Sequence, residues 1–253
     1  MRIAVCLKQV PARDWPPRVD ASHLWIREQD AAYEMNEPDA YALEEALRLK
    51  ERHGGEVVAC SAGPARVVQV LREALARGAD RAFHIEDDRL GSADASVLAQ
   101  ALAAAMQDEA FDLILTGLQS DDQGFGQTGV MLAERLGRTH ATIVMEIQVV
   151  EGRVRVKREL EGGWFQWVVM SMPAVLTIQS GINQLRYATL KGIMAARKKE
   201  IRTVAASVGP VRQRILSLYA PEKTKKIQLI AGTAAEAAKE LVRRLRDEAR
   251  VIP

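Results

Sequence analysis

Between residues 3 and 140 two hydrophobic periods alternate, and this restricts the fold more than any other feature of the chain. Ile3-Ala4-Val5-Cys6-Leu7 is a short unbroken apolar run, the pattern of a strand buried on both faces. Residues 38–52 place Ala42, Ala46, Leu47 and Leu49 on one helical stripe, opened by Pro38 and closed by Gly54-Gly55. Val57-Val58-Ala59-Cys60 predicts a second strand, residues 65–77 a helix stopped at Gly78, and Ala82-Phe83-His84-Ile85 a third strand. A helix over 92–107 capped by Ser92 or Asp94, a strand at Leu113-Ile114-Leu115 and a helix over 127–136 complete the series. Strand and helix alternate four times, which predicts an α/β fold with a parallel sheet covered on both faces.

The pattern changes near residue 142. Runs at 142–150, 153–161, 164–172 and 174–179 read as strands, with Glu151-Gly152 and Gly162-Gly163 where hairpin turns belong. They predict an antiparallel extension of the sheet. Residues 181–202 read as a loop followed by a basic helix, and 191–226 hold ten Lys or Arg against two Glu. Gly209-Pro210 and Pro221 punctuate an arm with little core of its own, before a final amphipathic helix at about 234–249. The expected division is a core with its extension over 1–185 and, over 186–253, a recognition loop, basic helix and C-terminal arm.

The net charge of +2 gives no case for a nucleic-acid partner or for a membrane-surface protein. No stretch approaches the roughly 18 apolar residues of a membrane-crossing helix, so direct membrane insertion is not expected. Met1-Arg2-Ile3 runs straight into a strand, so no signal peptide is expected either. Cys6 and Cys60 form no Cys-x-x-Cys motif and read as buried strand residues of a cytoplasmic protein. The four histidines lack metal-ligand spacing, and no Gly-x-Ser-x-Gly elbow or Walker lysine is present. Glu44-Glu45 and Asp87-Asp88 read as solvated pairs. No catalytic residue and no metal ligand is expected, and the chain does not read as an enzyme.

The informative segment follows the fourth strand and opens a helix: residues 115–129, LTGLQSDDQGFGQTG. Ligands of open α/β sheets bind at the carboxyl ends of strands, and a helix start favours phosphate. Gly124, Gly126 and Gly129 match Gly-x-Gly-x-x-Gly, but the dinucleotide fingerprint belongs to the first strand–helix turn. The segment therefore reads as a phosphate-holding loop, with an ordinary glycine-rich turn as the alternative. Cys6, Lys8 and Ser61-Ala62-Gly63-Pro64 should meet at the same edge. Asn36 is placed to serve a purine or to cap the next helix, and taken alone it reads as a cap.

Longer motifs carry a family resemblance. Residues 156–163 (VKRELEGG), 172–177 (MPAVLT) and 182–201 (INQLRYATLKGIMAARKKEI) resemble the signature of the electron transfer flavoprotein β subunit. Lys8-Gln9-Val10-Pro11, Met35-Asn36-Glu37-Pro38, Gly63-Pro64, Gly78-Ala79-Asp80 and Gln127-Thr128-Gly129 agree, so the similarity runs along nearly the whole chain. It implies a Rossmann-like, adenine nucleotide alpha hydrolase-like core within a heterodimer. The α subunit would carry most contacts to a redox-active FAD, while the β subunit holds AMP and supplies a wall of the flavin site. Electrons would arrive from dehydrogenases, typically acyl-CoA dehydrogenases of fatty acid oxidation, and leave to a quinone oxidoreductase. Carried over by motif, the resemblance puts the phosphate on amides around Gly124, Phe125, Gly126, Gln127 and Thr128, beside Asp122. Adenine and ribose would meet Cys6, Asn36 and Ala62. Leu190 takes the position of the anchor that enters a dehydrogenase pocket, Glu159 that of an acid pairing with an α-subunit arginine, and Arg186 and Tyr187 face the flavin.

Departures from the family pattern are Leu185 and Lys191, where proline is usual, the insert Asp14-Trp15-Pro16-Pro17, and the bulk of Trp164 and Trp167, which would suit the α–β interface. A branch of the family binds a second FAD in place of AMP and bifurcates electrons from NADH. It often carries Gln-Val-Gly-Pro where this chain has Gln127-Thr128-Gly129-Val130, and the Thr128 form resembles the AMP type. Two alternatives compete: a nucleotide sensor resembling universal stress proteins, which leaves residues 186–201 unexplained, and an ATP-using ligase, whose Ser-Gly-Gly-x-Asp-Ser loop is absent after the first strand.

Overall fold

The computed structural model describes residues 1–221 and 227–252, so part of the basic run over 191–226 lies outside the described residues. The elements in chain order are β1 (Arg2–Cys6), β2 (Gln9–Pro11), β3 (Tyr33–Met35), α1 (Glu37–His53), β4 (Glu56–Gly63), α2 (Val68–Arg77) and β5 (Arg81–Glu86). They continue with α3 (Ala95–Met106), β6 (Leu113–Gly117), α4 (Thr128–Arg135), β7 (Thr139–Val150), β8 (Arg153–Glu159), β9 (Phe165–Ser171) and β10 (Ala174–Ile178). Last come α5 (Leu190–Ala196), β11 (Ile201–Ala205) and α6 (Ala234–Asp247).

Nine strands form one sheet in the order β11-β5-β4-β1-β6-β10-β7-β8-β9. All neighbours from β11 to β7 run parallel, and β7-β8-β9 pair antiparallel. Successive strand residues serve opposite faces. Ile3, Val5, Val57, Ala59, Leu113 and Leu115 pack with α1 and α2, whereas Ala4, Cys6, Val58, Cys60 and Ile114 pack with α3 and α4. This two-sided burial is why the core strands read as continuous apolar runs rather than alternating ones. Gly54 (φ 69°) and Gly78 (φ 129°) end α1 and α2 in backbone conformations that a side chain would strain.

Two sequence expectations are corrected. The run at 174–179 does not belong to the antiparallel extension: β10 inserts between β6 and β7, parallel to both, and is buried along its whole length. Its unbroken Ala174-Val175-Leu176 run is the signature of burial on both faces, while β8 alternates as an outer hairpin strand must. The basic helix after residue 181 is a single short element, α5, and Ile201–Ala205 is a strand that adds to the sheet beside β5. The insert at 14–17 lies in the excursion between β2 and β3, whose pairing closes the base of that loop. Leu185, where the family pattern has proline, packs against the core on the α1–α2 face.

The chain divides into a unit over Met1–Ser217, which contains the sheet, and one over Leu218–Pro253. In the second unit, α6 opens with a capping box in which Thr233 and Glu236 satisfy each other's backbone N–H groups. No described helix is long and apolar enough to cross a membrane.

Ile114 is fully buried at the centre of the sheet. Ile114→Ala is expected to lower unfolding free energy by about 2–5 kcal/mol, measured by urea titration; a loss below ~1 kcal/mol would contradict a close-packed centre.

Candidate functional site

Strand order reverses at β1, which is flanked by β4 on one side and β6 on the other. The connections leaving β1 and β6 therefore diverge and open a crevice at the carboxyl edge, the general ligand position in such sheets. The cavity there is lined by Cys6 and Lys8 after β1, Asn36 and Asp39 at the start of α1, Ala62 of β4, and the loop leading into α4. Of the residues expected to bind nucleotide, Cys6, Asn36, Ala62, Phe125, Gly126, Gln127 and Thr128 all line it. Asp122 and Gly124 lie in the same loop but turn to other partners.

Asp39 was not singled out from the sequence, yet it organises this edge. It is buried, with Oδ2 accepting the Lys8 N–H at 2.7 Å and Oδ1 accepting the Gly117 N–H at 2.8 Å. One carboxylate thus ties the first turn of α1 to the ends of β1 and β6. A Cβ at Gly117 would lie 2.4 Å from Asp39 Oδ1, so only glycine admits this approach. Burial pushes the Asp39 carboxyl up to about 7, against the opposing pull of the two amides.

The glycine-rich loop is held from both sides. Asn36, 1% exposed, makes no cap bond; its Nδ2 donates to Gln119 O at 3.0 Å and its Oδ1 accepts the Asp121 N–H at 2.9 Å. The expected capping role is therefore replaced by a loop-holding one. Lys8 Nζ donates to Asp122 Oδ1 at 2.7 Å, Gln123 Oε1 at 2.8 Å and Ser120 Oγ at 3.3 Å, which uses all three ammonium protons. Gly124 (φ 64°) and Gly126 (φ 63°) provide the left-handed turns, and Gly124 N–H closes on Ser120 O at 2.9 Å. Gly129 serves contact instead: a Cβ there would sit 2.5 Å from Thr177 Cγ2, so it lets α4 press against the sheet. The Gln127 side chain makes no cap bond to α4, so this N-cap residue leaves the amides of that helix start without its acceptor.

The expected partner-binding residues lie apart from the cavity lining. Tyr187 and Leu190 are 94% and 78% exposed, so Leu190 is not helix-terminal core; Thr189 Oγ1 accepts the Gly192 N–H and caps α5. Arg186 turns inward, its guanidinium on Glu44 at 2.8 Å and Glu51 at 2.7 Å. Half-buried Glu159 accepts from Gln179 Nε2 at 3.3 Å. Glu44 and Glu45 are buried, which corrects their reading as solvated. Burial works against charge on both. For Glu44, Arg186 and Arg48 outweigh it and hold the carboxyl below its ordinary range; for Glu45, burial outweighs Asn183 and Arg52 and raises it. Cys6 and Cys60 are buried free thiols, as expected. Trp164 is 74% exposed, and Arg155 and Lys157 lie 4.1 Å from the ring centres of Trp167 and Phe165.

Asp39→Asn leaves one of the two amides facing an NH2 group and is expected to cost about 1–3 kcal/mol. The Asp39 value near 7 lies above its ordinary 3.8, so the folded chain holds an extra proton between those limits and its contribution declines as pH rises through them. The deficit of Asp39→Asn should be larger at about pH 5 than at about pH 8 in urea unfolding curves; a deficit that grows with pH would contradict this assignment.

Comparison with known proteins agrees with this architecture. The family model for the electron transfer flavoprotein domain matches residues 23–208. The chain is 38% identical to the electron transfer flavoprotein subunit beta of Methylophilus methylotrophus, over 96% of this chain and 97% of that protein. It is 36% identical to the Bacillus subtilis subunit beta over 90% and 91%, and 35% identical to the Sus scrofa subunit beta over 99% of each. The chain belongs to the electron transfer flavoprotein β-subunit family.

Proposed function

We propose that this chain is the nucleotide-holding subunit of a heterodimeric electron transfer flavoprotein, with AMP in the cavity between β1 and β6. The observation that carries the reading is a glycine-rich turn already shaped by Lys8 and Asn36, next to a helix start whose leading residue gives no side-chain cap. Such a loop spends no binding energy on ordering itself: the amides of Asp121, Gln123 and Gly124 are used to shape it, and those from Phe125 to Thr128 turn toward the anion. Thr128 and Gln127 assist the phosphate, while Cys6 and Ala62 supply a small apolar wall for the adenosine. Lys8 is neutralised by Asp122, so the loop relies on amides and the helix dipole.

The partner is an electron transfer flavoprotein α subunit, which carries most of the FAD contacts. FAD supplies the electron-carrying chemistry when bound; this chain contributes a wall of its site through Arg186 and Tyr187. Glu44 and Glu51 hold the Arg186 guanidinium inward, so Arg186 serves that wall by fixing the segment that presents Tyr187. Trp164, with Phe165 and Trp167 and the cations stacked on those two rings, forms a face suited to α-subunit contact, and the residues from 218 onward provide the arm around it. Glu159 pairs there with an α-subunit arginine. Leu190 is the anchor for the electron-donating dehydrogenase, of the acyl-CoA type, and a quinone oxidoreductase receives the electrons. The two free thiols suit a reducing cytoplasm.

The test is to denature the co-purified heterodimer and quantify the released nucleotides. Equimolar AMP and FAD are expected; two equivalents of FAD without AMP would move the chain to the bifurcating branch and overturn the AMP assignment. Leu190→Ala should lower the rate with the cognate dehydrogenase by about 10-fold or more, on the scale of an interface hot spot. Because Leu190 is 78% exposed, the melting temperature should not change. An unaltered rate would remove Leu190 from the dehydrogenase contact.

A further inference from the structure

Asp94 is 5% exposed and caps α3, its Oδ1 accepting the Val97 N–H at 2.8 Å. Its Oδ2 accepts two further amides from distant chain, Arg212 N–H at 2.5 Å and Gln213 N–H at 2.9 Å. These three amides hold the carboxyl below its ordinary range against the effect of burial. The segment they anchor continues from β11 and lies along α3. Val204, Ala206 and Val208 pack on the α3 side of the core, and a Cβ at Gly209 would fall 2.1 Å from Gln100 Oε1. The root of the arm, residues 204–215, is thus docked on α3 by apolar packing along its length and by one carboxylate at its end.

The opposite side of the same helix faces the nucleotide cavity, which Ala95, Leu98 and Leu102 line. A second cavity of about 990 Å³ borders it, walled by Asp94, Val97 and root residues Val208–Val211 and Gln213–Ile215; Gln123 and Phe125 of the glycine-rich loop belong to both cavities. Helix α3 and this shared loop wall therefore separate ligand from root.

We propose that Asp94 is a positioning residue that couples nucleotide occupancy to docking of the arm's root, by fixing the first turn of α3 and residues 212–213 with one carboxylate. The inference rests on the cavity being a nucleotide site. A nucleotide that packs on Ala95 and Leu98 holds α3 in the position that presents Oδ2 to the root. A docked root in turn holds α3 against the nucleotide, because coupling between two binding events is reciprocal. The sign of the effect separates this from simple electrostatics. Asp94→Asn removes a negative charge near an anion site, which taken alone strengthens anion binding. Weaker binding in that variant therefore reports the mechanical link.

Asp94→Asn is the informative change because asparagine is as good a helix cap as aspartate. Its single oxygen keeps the Val97 bond, while its NH2 cannot accept from Arg212 and Gln213. The full chain, wild type and variant, is titrated with AMP, and amide hydrogen exchange is followed over 204–215 with and without AMP. In the wild type AMP should slow exchange at Arg212 and Gln213. In Asp94→Asn that protection should vanish and AMP affinity should fall about 5-fold or more, the scale of a typical coupling; the two unpaired amides lower the melting temperature, so both readouts are taken where wild type and variant are fully folded. Asp94→Glu, which retains two acceptor oxygens, should recover part of both. Fast exchange at 212–213 in the variant with unchanged or tighter AMP binding would overturn the coupling while leaving the nucleotide site intact. Failure of the wild type to bind AMP at all would instead overturn the site, and the coupling with it.

Discussion

The buried carboxylate of Asp39 is the contact on which the functional edge depends. Its two oxygens receive the amides that end β1 and β6, the two strands between which the sheet reverses direction. Without it, two buried amides at the mouth of the crevice lack partners, and each would cost about 1–3 kcal/mol. With it, the first turn of α1 is locked to the strand ends. Asn36, three residues earlier, is thereby placed over the glycine-rich loop. The loop's shape thus depends on Asn36 and Lys8 from outside it as well as on the turns of its own glycines.

Two further polar anchors extend this logic away from the crevice. Glu44 and Glu45, on the same helix as Asp39, hold Arg186 and Asn183 through bonds spanning about 140 residues. They fix the segment that leads to Tyr187 and Leu190, so this exposed loop begins from a rigid point. A buried pair of this kind is costly unless its partners are complete, and Arg48 and Arg52 complete it. Asp94 does the same for the segment after β11. In each case a carboxylate at or within a helix holds a segment that arrives from far away in the chain.

What the sequence discloses follows from the range of each interaction. The parallel core is legible because its strands are apolar on both faces and because α1 and α2 end at glycines with positive φ. The edge of the cavity is legible for a related reason: strand ends and a glycine-rich turn are local signals, and Gly124, Gly126 and Gly129 divide the work as a Gly-x-Gly-x-x-Gly match suggests, two for turning and one for close packing. β10 is misread in direction and β11 is not read as a strand, because each is fixed by pairing partners that lie far away in the chain. Glu44-Glu45 looks like any acidic helix face until Arg186 arrives from across the molecule. Asp39 is hidden for the same reason. In the first turn of a helix, an acid usually answers the helix dipole, and nothing local shows that this one accepts from two strands.

The central claim is that the crevice between β1 and β6 holds an adenine nucleotide on the loop before α4. The most direct test is photolabelling of the purified heterodimer with an azido-adenine analogue of AMP, followed by mass spectrometry of the labelled peptides. The account predicts label on peptides containing Cys6, Asn36 or Ala62, suppressed by excess AMP. Label confined to residues beyond 186, or to the partner subunit, with these peptides unmodified, would contradict it.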